Sequence, residues 1–166
     1  MINSLSQKLN MKVNGYQIGL GQELNETQLN SQNFKKVGFF GRRMIKAERN
    51  ELVFFLKNCE LKYLKEEFGN TIFPILDTKA GAAIMYGTSS YLWYEKKTLS
   101  KFVFQIIQNK MAAQQHIEGL EQKLVEFIGK PYSADGAFTI WEMGNQRLLL
   151  EYPKNEHGYI HLTMID

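Results

Sequence analysis

The sequence predicts an α+β fold: an antiparallel sheet of hairpins and meanders, with one main helix, about 110–128, packed on one face. Three features carry that expectation. Within 110–128, Ala113, Ile117, Leu120 and Leu124 recur at helical spacing, and Gly129 and Pro131 then supply a stop. After the helix come "FTIWEM", "RLLLEYP" and "YIHLTMI", separated by turn residues. In the last of these Ile160, Leu162 and Met164 alternate with Tyr159, His161 and Thr163, the pattern of a one-sided antiparallel strand. Before the helix, the β-prone runs "ELVFFLK", "YLWYEKK" and "KFVFQIIQ" crowd the middle of the chain. A helix with one apolar stripe and a sheet with one apolar face each need a cover, and each can cover the other.

From the N-terminus, residues 1–12 are polar and read as a loosely ordered extension. That leaves 13–166 as a single domain, in which any division into two subdomains would fall near 108–112. "VNGYQIGLG" (13–21) reads as a short strand punctuated by glycines. Asn25, with Gln28 three residues on, has the form of a capping box that opens a brief helical turn.

The stretch "FKKVGFFGRRMIKAER" (34–49) has two readings. As strands, Phe34–Phe40 pairs with Arg43–Glu48 about Gly41, and "ELVFFLK" follows across a tight Arg49-Asn50 turn. As a helix, the segment from Arg42 to about Phe68 contains no Gly or Pro to stop it. The β-branched and aromatic content of "LVFFL" favours strands. The choice decides what the cations do. On a strand Arg43 and Lys46 point to opposite faces, whereas on a helix Arg42, Lys46 and Arg49 would form one basic stripe.

"CELKYLKEEFG" (59–69) reads as a short amphipathic helix, with Leu61, Leu64 and Phe68 on one side and Gly69 as its cap. "AAIMYG", "YLWYEKK" and "KFVFQIIQ" then read as three strands, the last two joined at Thr98-Leu99-Ser100. "EEFGNTIF" and "VEFIGKPY", each followed by a Trp-bearing strand, hint at a repeat of helix and meander.

Composition narrows the class. A chain of 166 residues, 44% hydrophobic and 22% charged, is an ordinary globular one. At this length folding buries roughly 70% of the unfolded chain's surface, so no staples are needed. Cys59 is the only cysteine, which suits a reducing compartment; with no signal-like run in residues 1–16 and no long apolar span, a cytoplasmic protein is expected. Net charge is +3, yet the stretch 34–49 holds six cations against the single acid Glu48, so the basic character is local.

Few residues combine into catalytic patterns. No GxSxG surrounds a serine, and Cys59 has no histidine near it in sequence. His157 and His161 can share one side of a strand but lack a third ligand, so no metal is expected. "GLG" at 19–21 is only half of a dinucleotide fingerprint, and no other cofactor signature is present. Glu142 and Glu151 lie on adjacent expected strands, where a hairpin could set them opposite each other as an acid–base pair.

The expected role is therefore a non-enzymatic protein-binding or inhibitor module. An immunity-type protein neutralising a partner toxin is one concrete form, and a partner with an acidic surface suits the local basic charge. The binding residues expected are Lys35, Lys36, Arg42, Arg43, Lys46, Arg49, Tyr91, Trp93 and Tyr94. The alternative is a nucleic-acid-binding protein that uses the basic stretch with the aromatics as stacking groups, although Trp93 and its neighbours also fit a core strand. Homodimerisation is a further expectation, should "LVFFL" or "FVFQII" lie at a sheet edge.

Overall fold

The computed structural model describes residues 4–32, 34–37, 44–56, 65–68, 71–74, 82–106 and 110–165. In chain order the elements are α1 (Leu5–Leu9), β1 (Met11–Val13), β2 (Tyr16–Ile18), α2 (Glu26–Ser31), β3 (Lys35–Val37), β4 (Met44–Phe55) and β5 (Lys65–Phe68). They continue with β6 (Thr71–Pro74), β7 (Ala82–Glu95), β8 (Thr98–Ile106), α3 (Lys110–Ile128), β9 (Ser133–Ala134), β10 (Phe138–Met143), β11 (Gln146–Glu151) and β12 (Tyr159–Met164). A ten-stranded sheet runs β2-β1-β4-β7-β8-β12-β11-β10-β9, with β3 on β4, and β5 and β6 form a separate hairpin. Every described pairing is antiparallel, so the α+β expectation holds.

The core follows one ladder across six strands. Ile45, Leu92, Phe102, Leu162, Leu148 and Trp141 are successive cross-strand partners, and each is at most 4% exposed. Over this face lies α3, whose Ala113, Ile117, Leu120 and Leu124 are all completely buried. Each large side chain so removed from water contributes about 2 kcal/mol. Polar contacts fix the helix in place. The Trp141 indole N–H donates to the Gly129 carbonyl (3.0 Å), just past the helix end. The Thr139 hydroxyl (2.7 Å) and the Tyr152 hydroxyl both donate to the Glu121 carboxylate.

Residues 4–12 join the same core, contrary to what their polarity suggests. Ser4 caps α1 by accepting from the Gln7 N–H (3.2 Å), and Leu5 and Leu9, one turn apart, are fully buried. The Ser6 N–H and hydroxyl both donate to the Gln146 side-chain carbonyl, at 3.0 and 2.7 Å, which ties α1 to β11. The glycine-punctuated strand is a hairpin, turned by Asn14 and Gly15 at φ 50° and 81°. The expected cap of α2 is present, with the Asn25 side chain accepting from the Gln28 N–H (3.1 Å).

Four turn, strand or helix expectations are corrected. No turn interrupts Arg49-Asn50: β4 runs through it with one register against β7, from Glu48↔Ser89 to Asn50↔Gly87. What changes there is the pleat. Core-facing residues are odd-numbered at Ile45 and Ala47 but even-numbered at Leu52 and Phe54, so the hydrophobic alternation slips by one residue without a chain reversal. Asn50 sits buried at the slip, donating to the Ala47 carbonyl and accepting from the Asn14 side chain, both at 2.8 Å. Likewise "AAIMYG" and "YLWYE" are one strand, β7, whose register against β8 shifts between Gly87 and Ser89. The β7–β8 turn is Lys96-Lys97, at φ 47° and 67°, rather than Thr98-Leu99-Ser100.

The expected helix over 59–69 is contradicted where it is described: Lys65–Phe68 is a strand paired with Thr71–Pro74. The rest of that segment, Cys59 included, lies outside the described residues, and the proposed repeat loses its first helix. Among the described residues, "FVFQI" lies in β8 between β7 and β12 and "LVFF" in β4 between β1 and β7, so neither offers a free edge. The long helix and the final meander stand as expected.

Candidate functional site

Because paired residues in a ladder point to the same side, the registers that define the core also define what faces away from it. One outward row reads Met44, Trp93, Lys101, Thr163, Arg147, Glu142, and the next reads Lys35, Lys46, Tyr91, Val103, His161, Leu149, Ile140. Helices α1 and α3 lie on the opposite side, and the buried Leu29 of α2 belongs to the core cluster as well. Apart from the buried Val103, the described side chains of these rows are half-buried or exposed. This outer face is the candidate site.

At its β3–β8 end, aromatic rings and ammonium groups alternate. Tyr91 and Trp93 stack with centroids 5.8 Å apart and planes at 30°. The Lys46 ammonium lies 5.5 Å from the Tyr91 centroid, and the Lys101 ammonium 5.0 Å from that of Trp93. Such contacts are worth about 0.5–1 kcal/mol at exposed sites and hold the lysines across the rings. Lys46 also pairs with Glu48 (3.3 Å), and that bond, followed by Tyr91, raises the pKa of its ammonium. Lys35 is the direct cross-strand partner of Lys46.

The β12–β10 end is of mixed sign. Arg147 donates through Nε (2.8 Å) and Nη2 (2.5 Å) to one oxygen of Glu142, directly across the β10–β11 ladder. Tyr159 has His157 on one side, 6.5 Å between centroids, and His161 on the other at 6.0 Å. His157 Nδ1 is 3.1 Å from the Ile106 carbonyl. His161 Nε2 is 3.8 Å from Glu151, too far for a hydrogen bond. Burial lowers the His161 pKa, opposed by Glu151 and assisted by Lys101.

The expected residues divide in three. Lys35, Lys46, Tyr91 and Trp93 come together on the outer face, and the core-strand reading of Tyr91 and Trp93 is not borne out by their place on it. Tyr94, one residue out of phase, is in the core at 5% exposure, so it offers no binding surface. Lys36 pairs with Ile45 in the β3–β4 ladder, one residue out of register with the Lys35–Lys46 pair. Arg42 and Arg43 lie outside the described residues, as does the side chain of Arg49.

Lys101 and His161 complete the face together with Arg147, which sequence reasoning missed. The signal for Lys101 was present in "KFVFQII", where burial of Phe102, Phe104 and Ile106 forces Lys101, Val103 and Gln105 outward.

The acid–base pair does not assemble. Glu142 faces Arg147 and Glu151 faces Phe138, four residues apart along the sheet from an opposed arrangement. Glu151 does line a cleft of about 490 Å³ with Lys154, His157 and Tyr159, from which Glu142 is absent. Among the described residues no three His, Cys, Asp or Glu side chains gather as a metal site, and no helix is long and apolar enough to cross a membrane. Comparison with known proteins matches the chain to no family model, no curated protein and no solved structure.

Proposed function

We propose that this chain is a non-enzymatic binding module that receives a protein partner on its outer sheet face, with inhibition or neutralisation of that partner as the simplest role. The observation that carries the reading is the Tyr91–Trp93 stack on the face away from the core helices. Aromatic side chains anchor protein interfaces because they bury much apolar area with few rotatable bonds. Val103 is the cross-strand partner of Tyr91, Leu149 and Ile140 continue the same row beyond His161, and charged groups of both signs lie at either end. Apolar and aromatic residues inside a polar rim are the usual anatomy of a protein interface.

The nucleic-acid alternative fits less well for a geometric reason. Bases stack on free ring faces, and here Lys46 and Lys101 already lie over Tyr91 and Trp93.

The test compares two surfaces. Tyr91→Ala with Trp93→Ala should abolish co-purification of a partner from cells while leaving circular dichroism unchanged, whereas Val125→Ala, on the exposed side of α3, should not. Loss of the complex in Val125→Ala alone would overturn the reading.

A further inference from the structure

Among the described residues, the β3–β8 end of the face carries three lysines, Lys35, Lys46 and Lys101, against two acids, Glu48 and the exposed Glu95 at the end of β7. Two are set in place by their rings, Lys46 on Tyr91 and Lys101 on Trp93. Lys35 and Lys46 stand directly opposite each other, an arrangement of like charges that costs the sheet stability. Glu48 offsets Lys46, and it is largely exposed, its side chain at 74%. The corner thus carries an excess of positive charge on a floor of aromatic carbon.

From this we infer that the corner binds an acidic peptide segment of the partner, whose carboxylates bridge Lys35 and Lys46 and reach Lys101. This rests on the reading of the outer face as a protein-binding surface and supplies the chemistry of its partner. Carboxylate groups would enter between ammonium heads without disturbing the rings. A nucleobase would have to displace both lysines before it could stack. The aliphatic stems of the lysines and the edges of Tyr91 and Trp93 would cover the apolar parts of the segment. The salt-bridged other end, Arg147 with Glu142, has its charge already matched, so the acidic segment belongs at the β3–β8 end.

The probe is a fluorescently labelled short polyglutamate peptide, titrated with the full chain by anisotropy at low and moderate salt. An oligothymidylate of equal charge serves as the competing class. Saturable peptide binding is expected, weakening with salt. The Lys35→Gln/Lys46→Gln/Lys101→Gln variant should raise Kd about tenfold or more. Lys154→Gln, at the distant β11–β12 loop, should leave it unchanged. Tighter binding of oligothymidylate than of the peptide overturns the inference in favour of nucleic acid. Absence of peptide binding at low salt overturns it as well, and so does equal loss in both lysine variants. If the partner complex still depends on Tyr91 and Trp93 in those cases, the outer-face reading stands while the acidic-segment inference falls.

Discussion

Lys35 and Lys46 are direct cross-strand partners in the β3–β4 ladder, two ammonium side chains on one face with no residue between them. Folding gains nothing from that juxtaposition, because like charges directly opposed in a ladder repel. Lys35→Glu should therefore stabilise the protein by about 0.5 kcal/mol, read as a rise in Tm of about 1–2 °C. The same change should weaken polyglutamate binding. A variant that gained stability and kept its peptide affinity would separate the lysine pair from binding.

The β7–β8 turn suggests a purely structural gain. Lys96 and Lys97 hold φ at 47° and 67°, where a side chain with a Cβ is strained. Asn-Gly is the sequence this type of two-residue hairpin favours. Lys96→Asn with Lys97→Gly should raise stability by about 1 kcal/mol, measured by urea denaturation. Both residues lie off the outer face rows, so peptide binding should not change.

Gly87 is where the pleat slips, and nothing larger fits. A Cβ there would stand 2.4 Å from the Gln105 carbonyl and 2.5 Å from the Phe104 ring. The carbonyl is part of the β7–β8 ladder and has little room to retreat. Gly87→Ala should cost about 2–3 kcal/mol, visible as a lower denaturation midpoint. Gly158 faces the flexible end of Ile117 at 2.4 Å, so Gly158→Ala with Ile117→Val should recover most of its own loss.

Acid should weaken the fold through two histidines. Burial lowers the pKa of His116 and, as the largest cause, that of His161 from the ordinary 6.5. A histidine with a depressed folded pKa binds its proton more readily in the unfolded chain. Its contribution is therefore complete above pH 6.5 and lost as pH falls toward the folded pKa. Around His161 stand Glu151, Lys101, Arg147 and Tyr159, of which only Glu151 favours protonation. Denaturation midpoints should drop on acidification below pH 6.5, and His161→Gln should flatten part of that slope. An unchanged slope would show that His161 is equally protonated in both states.

The fold was legible where one period held over a whole element. Helix α3 was so because Ala113, Ile117, Leu120 and Leu124 never leave the 3.6-residue stripe, and the last three main strands because each alternates without a slip. Sequence reasoning failed where the phase changed inside an element. At Arg49-Asn50 the shift from odd to even core positions looked like a turn, but the strand absorbs it through Asn50 and the facing Gly87. Lys96-Lys97 escaped notice because lysine carries no turn signal. The site was legible in part. Tyr91 and Trp93 were named for their type, but only the ladder shows that Tyr94 turns inward while Lys101 comes to lie over Trp93. Cross-strand neighbours are fixed by register, which no single segment encodes.

The central claim is that the outer sheet face, and not the helix side, meets the partner. Its most direct measurement is photo-crosslinking in cells with a photoreactive amino acid placed singly at Trp93, at Leu149 or at Val125. The account predicts one shared crosslinked protein from Trp93 and Leu149 and none from Val125. A crosslinked protein from Val125 alone would contradict it.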